Sequence, residues 1–300
     1  MITVKNVNKK FGTFHALNDL SINVGTGSIY GLVGTNGSGK TTIIKHLTGV
    51  LKQDSGDILF DGQPVYENPE IKKKIGFIPD DLSYLATFTM KEAAGHYRAV
   101  YPVWDQERYD DMVKKFGLEN RKKIHNFSKG MQKQAAFILA MCTHPQYLIL
   151  DEPVDGLDPI VRKIVWKYII DDVNESEMTV LISSHNLREM EGFCDSIGIL
   201  DKGEMKLERD LDELKSDIHK VQTAFGQDVD SSAIFDKLNI LHREQRGSVD
   251  LLIVRNEGEY VRSVIDQGRP LIFDMLPLTL EEIFIYELGG ENCEISSIIF

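Results

Sequence analysis

Apolar and polar positions follow two rhythms along this chain. Residues 2–7, 20–24 and 28–33 alternate or form short apolar runs, the pattern of strands, with Gly12, Gly25 and Gly27 at the turns between them. A glycine-rich turn over 34–39 then gives way to helical spacing at 40–48, stopped by Gly49. Residues 58–60 and 75–78 read as further strands, and the pattern from 90 to about 116 is helical, interrupted by Pro102 and Trp104. A helix over about 129–143 stops before Pro145. Residues 147–150 are a continuous apolar run, as expected for a strand covered on both faces, and 179–183 and 197–200 read as further buried strands. Between the first two of these, Asp158-Pro159 opens a helix with Asp as N-cap and Pro in its first turn. Strands alternating with helices predict an α/β layer with parallel strands.

After about residue 215 the texture changes. Strands are expected at 249–254 and 271–273, and Thr279-Leu280-Glu281-Glu282 is a capping box opening a last helix to Leu288. No internal repeat or low-complexity segment interrupts the chain.

The first turn carries chemistry. Gly34-Thr35-Asn36-Gly37-Ser38-Gly39-Lys40-Thr41 has the spacing of a P-loop, Gly, four residues, then Gly-Lys-Ser/Thr. Its glycines let successive N–H groups point inward at a phosphate, and the helix behind adds its own unpaired N–H groups. Lys40 is placed for the β- and γ-phosphates and Thr41 for Mg2+, with Thr42 beside it. A chance match is roughly a one per cent event at average residue usage, and strand-before, helix-after context lowers it further. The run 147–150 ends in Asp151-Glu152, where parallel strands place ligands. Asp151 suits Mg2+ and Glu152 suits a base that polarises water. His185 ends the next buried run, after Ser183-Ser184, within reach of a γ-phosphate.

Composition narrows the partners. At 300 residues, 42% hydrophobic and 27% charged, the chain is neither disordered nor fibrous, and it is long enough for one large domain plus a smaller one. A formal net charge of -12 argues against duplex nucleic acid as a main partner. Cys142, Cys194 and Cys293 are scattered and odd in number, the pattern of unpaired thiols packed as small hydrophobes. No stretch reaches the ~20 apolar residues of a membrane helix, and the N-terminus reads as strand rather than signal peptide. A soluble chain is expected, with any membrane role reached through a partner.

In this order the pieces resemble the nucleotide-binding subunits of ATP-binding cassette (ABC) transporters over residues 1 to about 210. Phe127-Ser128-Lys129-Gly130-Met131 stands at the family's signature position, 20 residues before Asp151 counted from Met131, where Leu-Ser-Gly-Gly-Gln is usual. Pro153 to Pro159, with Gly156-Leu157-Asp158, looks like the D-loop, His185 matches the switch histidine, and Phe11 matches the aromatic that stacks on adenine. Asp80 stands where the family carries Gln or Glu, and its shorter side chain would reach Mg2+ through a water. Lys129 replaces a signature glycine, as in a bacterial branch with separate membrane subunits. The tail motif Leu278-Thr279-Leu280-Glu281-Glu282-Ile283-Phe284 is similar to the C-terminal extension of that exporter branch.

The resemblance implies a P-loop NTPase core of RecA type with an antiparallel β subdomain and a helical subdomain at about 82–145. It places the nucleotide-binding domain at 1–215 and a small α+β accessory domain, for dimerisation or regulation, at 216–300. It further implies ATP and Mg2+, and a head-to-tail sandwich with a second copy or a paralogous ATPase subunit. Each ATP would then be held by one P-loop and by Ser128 and Gly130 of the other subunit. Glu152 would act as base, His185 would hold the γ-phosphate and water, and Asp151, Thr41 and Asp80 would hold the metal. Integral membrane permease subunits would be driven in the export direction from the inner face of the cell membrane. One alternative is an ABC ATPase working on ribosomes, DNA or an assembly complex. Translation types usually carry two cassettes per chain and DNA-repair types a long coiled-coil insertion, and neither feature is present. A guanine-reading switch would need Asn-Lys-x-Asp, and Asn8-Lys9-Lys10-Phe11 lacks the Asp and precedes the P-loop.

Overall fold

The computed structural model describes residues 1–82, 87–226 and 228–288, so Cys293 lies outside the described residues. The chain divides into two compact units, one of residues 1–185 and 193–208, the other of residues 186–192 and 209 onward.

The first unit opens with two long strands, β1 (Ile2–Phe11) and β2 (Phe14–Val24), paired antiparallel through a tight turn at Gly12, whose φ of 60° suits glycine. Both strands run further than the alternation predicts, because Phe14 to Asp19 pairs across to β1 while leaving polar side chains outside. With β4 (Ser55–Phe60) and β5 (Gln63–Pro64) they form a four-stranded sheet of order β2-β1-β4-β5.

Between these segments run β3 (Ile29–Val33) and α1 (Lys40–Leu47). The chain continues through the short α2 (Pro69–Lys72), β6 (Ile75–Ile78), α3 (Met90–Val100), α4 (Gln106–Phe116) and α5 (Lys129–Met141). The break expected near Pro102 and Trp104 separates α3 from α4, and Asp105 caps the second of them by accepting the Arg108 N–H. Then come β7 (Tyr147–Asp151), α6 (Pro159–Ser176), β8 (Thr179–Ser184), β9 (Ser196–Asp201) and β10 (Glu204–Asp210). Asp158 caps α6 as its sequence demands, accepting the Ile160 N–H at 2.8 Å.

The second sheet of this unit has the order β10-β9-β3-β8-β7-β6, with β9, β3, β8, β7 and β6 joined by parallel ladders. Every residue of β3, β7 and β8 is buried, which is why their middles are apolar, with polar residues only at the ends of β7 and β8. Tyr30, Leu32, Tyr147, Ile149 and Leu181 pack with Ile43, Ile44 and Leu47 of α1 into one core that also takes in Val4, Leu17 and Phe60 of the first sheet. On α6, Trp166 is buried and its ring centre lies 4.2 Å from that of Phe193, stacked nearly parallel at 2°.

The second unit holds α7 (Leu211–Asp217), β11 (Ile218–Ala224), α8 (Ser231–Phe235), β12 (Ile240–Arg246), β13 (Val249–Arg255), α9 (Gly258–Asp266), β14 (Ile272–Leu276) and α10 (Leu280–Leu288). Its antiparallel sheet, β12-β13-β11-β14, packs Val221, Leu252 and Val254 against Ile234, Val261, Val264 and Ile265 of α8 and α9. The capping box is made: Thr279 Oγ1 accepts the Glu282 N–H at 3.2 Å, and Glu282 accepts the Thr279 N–H at 3.1 Å. The unit also takes in a segment from far upstream. A 3-10 turn, Leu187–Glu189, packs against α10, and Arg188 pairs with Glu281 at 2.8 Å. Burial raises the thiol of Cys142 to about 12 and that of Cys194 well above the usual range, so both behave as small core hydrophobes.

The buried Trp166 stack is open to a direct check. Trp166→Ala empties its site and should cost about 3–5 kcal/mol, whereas Val50→Ala at an exposed position should stay within about 0.5 kcal/mol. Urea denaturation of the two variants measures the difference.

Candidate functional site

Three neighbouring strands bring the site together. β8 lies between β3 and β7, with Val33 level with Ser184 and Asp151 level with Ser183. The segments leaving their C-terminal ends are the glycine-rich loop, the His185 segment and Glu152. The three segments therefore leave the sheet side by side, although the sequence spreads them over half its length.

The loop geometry explains its residues. A Cβ on Gly34 would sit 2.4 Å from the Leu200 carbonyl and 2.5 Å from Ser38 Oγ, so β9 permits only glycine there. Gly37 and Gly39 adopt φ of 85° and 113°, a region L side chains avoid. Gly39 is also the N-cap of α1 and offers no side-chain cap, so the first N–H groups of the helix remain available to a bound anion. Lys40 is 6% exposed, and its ammonium donates to the carbonyls of Gly34 at 2.7 Å and Thr35 at 3.3 Å. It also stands 3.4 Å from Glu152 Oε1.

Glu152 is the meeting point. Oε1 faces Lys40, while Oε2 is 2.9 Å from His185 Nδ1 and accepts the His185 backbone N–H at 3.3 Å. With Nδ1 protonated, the imidazole donates to the carboxylate and keeps Nε2 as an acceptor. The backbone of Glu152 is left-handed, φ 48°, with its N–H shared between Ser183 O and Ser183 Oγ, both at 3.2 Å. The same Ser183 hydroxyl donates to Asp151 Oδ1 at 2.6 Å, fixing a carboxylate that is 2% exposed. Ser183 thus steadies both acids.

One cleft is lined by Thr35, Asn36, Gly37, Gly39, Lys40, Thr41, Thr42, Asp80 and Glu152, together with Phe14 and Ala16. Loop, acid and Asp80, two residues past β6, are therefore assembled, and Asp151 and His185 join through the bonds above. Phe11 is not in this lining. It pairs across the hairpin with Phe14, is 49% exposed, and has the Lys9 ammonium 5.6 Å from its ring centre. Ser128 and Gly130 also lie outside it. Ser128 caps α5 by accepting the Met131 N–H at 3.3 Å, and a Cβ at Gly130 would come within 3.0 Å of the Gly156 carbonyl. Sequence spacing does not single out Phe14 and Ala16, since their place depends on the hairpin folding back over the loop. Asp80 stands 3.2 Å from Lys133 of α5, a lysine no sequence motif marks.

The donors present, hydroxyl and carboxylate oxygens, suit a hard cation such as Mg2+, which is usually held by one or two carboxylates, waters and substrate phosphates. Among the described residues no group of three or more His, Cys, Asp or Glu side chains could hold a metal alone.

This chain is similar to known proteins. The ABC transporter family profile matches residues 17–155. The ABC transporter ATP-binding protein YtrB of Bacillus subtilis is 33% identical over 97% of this chain and 99% of its own length. The bacitracin transport ATP-binding protein BcrA of Bacillus licheniformis is 30% identical over 97% of this chain and 98% of its own. A solved dimeric ABC transporter cassette, MJ0796, shares the fold at a TM-score of 0.64 and 23% identity, covering 70% of this chain and 99% of that one. This chain belongs to the ATP-binding proteins of ABC transporters, P-loop ATPases that couple ATP hydrolysis to transport.

Proposed function

We propose that two copies of this chain, or one copy and a paralogous ATPase subunit, close head to tail around two ATP molecules and drive separate membrane permease subunits in the export direction. The observation that carries the reading is the Glu152 carboxylate, held between Lys40 and His185 where the glycine-rich loop opens. In this reading the β- and γ-phosphates take the loop N–H groups and the Lys40 ammonium. Glu152, relieved of that partner, polarises the attacking water, and His185 holds water and γ-phosphate in line. Mg2+ bound by Thr41, Asp151 and, through water, Asp80 would neutralise charge on the phosphates.

Dimer closure is supported by three features. Each chain has one glycine-rich loop, Ser128 and Gly130 stand away from their own cleft, and Ile160 just after the D-loop is 72% exposed, as a residue awaiting cover would be. The relatives' names support a transport partner over a ribosome, DNA or an assembly complex. No described helix is long and apolar enough to cross a membrane, which fits a permease on separate chains and a peripheral place on the cytoplasmic face. The tail's likeness to the exporter branch supports the direction. Residues 1–215 would form the nucleotide-binding domain and 216–300 the accessory one. The hairpin end carrying Phe11 and Phe14 would form the adenine platform, with Phe14 nearer the loop.

Glu152→Gln should keep ATP affinity, lower turnover by about 10²–10⁴-fold and trap an ATP-dependent dimer visible by size-exclusion chromatography. Turnover at the wild-type rate would remove Glu152 from the role of base. Lys40→Ala deletes a charged hydrogen bond to phosphate worth about 1.5–3 kcal/mol, so the ATP dissociation constant measured by calorimetry should rise roughly tenfold to a hundredfold or more. For the platform, base–aromatic stacking is worth about 1–3 kcal/mol, so Phe14→Ala should weaken ATP binding by at least about fivefold and leave kcat near wild type. A weakening confined to Phe11→Ala would put adenine on the other ring.

A further inference from the structure

One ammonium outside the residues already given a role touches two of them. Lys133 lies in the first turns of α5 and is 10% exposed. Its Nζ donates to the Glu152 carbonyl at 2.6 Å and stands 3.2 Å from Asp80 Oδ1. It therefore joins α5, the end of β7 and Asp80, two residues past β6. Those two strands are already in register, Ile78 beside Leu150, so one side chain from α5 can reach past the ends of both.

We propose that Lys133 is a positioning residue for hydrolysis, one that sets the Glu152 backbone and the Asp80 carboxylate with a single charge. This rests on the reading of Glu152 as the base. The need for such a residue comes from the backbone. Glu152 is left-handed, a conformation that costs a side-chain-bearing residue and persists only where surroundings impose it. Its N–H is held by Ser183 and its carbonyl by Lys133, so the peptide planes on both sides of its Cα are fixed. Those planes decide where the side chain departs, and hence whether the carboxylate falls between Lys40 and His185. A charged donor on a carbonyl is among the stronger hydrogen bonds available, and a lysine this sheltered has little water to compete for it.

The second contact gives the arrangement its use. Asp80 is 61% exposed and lines the cleft, where a lone carboxylate would sample several rotamers in water. Lys133 supplies an ion pair that favours one of them. A nucleotide bound with Mg2+ that would draw Asp80 toward the metal takes one partner from Lys133 and leaves the Glu152 carbonyl as its remaining anchor. Occupancy of the cleft and the setting of the base are then linked through one side chain, at a spacing too short for intervening structure to dilute.

The test is steady-state ATP hydrolysis by the full chain, with thermal denaturation alongside. Lys133→Met keeps the aliphatic stem and removes the charge. It should lower kcat on the order of tenfold to a hundredfold, as small misplacements of a reacting group do, while KM for ATP changes less than about threefold and Tm stays within a few degrees. Lys133→Arg, which keeps charge and donors, should recover at least half of the lost rate. Asp80→Asn should lower kcat less in the Lys133→Met background than in the wild-type background, because part of its effect runs through the same pair. Should Lys133→Met fail to fold, Lys133→Gln carries the same comparison with a donor but no charge. An unchanged kcat, a loss confined to KM, or a rate that falls only in step with Tm would each overturn the assignment. Glu152→Gln that turns over ATP at the wild-type rate would instead overturn the underlying reading of Glu152.

Discussion

A buried ammonium needs partners, and that requirement organises the site. Lys40 is almost sealed from water, where an isolated charge is costly. It is satisfied by two carbonyls of its own loop and by Glu152. The loop can approach so closely only because Gly34 has no side chain to meet the Leu200 carbonyl. Glu152 can reach Lys40 only because β7 and β3 are spaced by the single strand β8. The order of strands, the glycine and the acid thus answer one electrostatic demand.

How far the site can be read from sequence depends on how local each contact is. The loop from Gly34 to Thr41 is legible because its chemistry is written in contiguous residues whose backbone does the work. Asp151, Glu152 and His185 are legible because a fully buried parallel strand is an apolar run, and the sheet places the residues at and just past its end. Phe14 is not, because its position comes from a hairpin that carries β2 further than its alternation suggests. Lys133 is hidden for a different reason: one lysine on a helix has no pattern, and its value lies in where two other chain segments happen to end.

The same logic separates the two units. In the first, buried strands announce themselves. In the second, β12 spans Ile240–Arg246 and is largely polar and exposed, and β11 mixes Lys220 and Gln222 with Val221. Strands covered on one face, or lying at a sheet edge, keep their polar residues and look like loops in sequence. Hydrogen bonding to β13, whose Leu252, Ile253 and Val254 are buried, supplies what their own composition lacks.

The segment Asn186–Gly192 carries a consequence for anyone dividing this protein. By position it comes just after His185 and belongs with the ATPase machinery, yet in space it is a part of the C-terminal unit. Leu187 and Met190 are buried, and the turn they belong to packs against α10. The seam in space and the seam in sequence therefore do not coincide. Cutting the chain after β10 would strip a helix from this turn. It would break the ion pair of Arg188 and uncover its apolar neighbours, within a few residues of His185. A shortened cassette would not be a smaller copy of the whole: its histidine would hang from an unsupported strap.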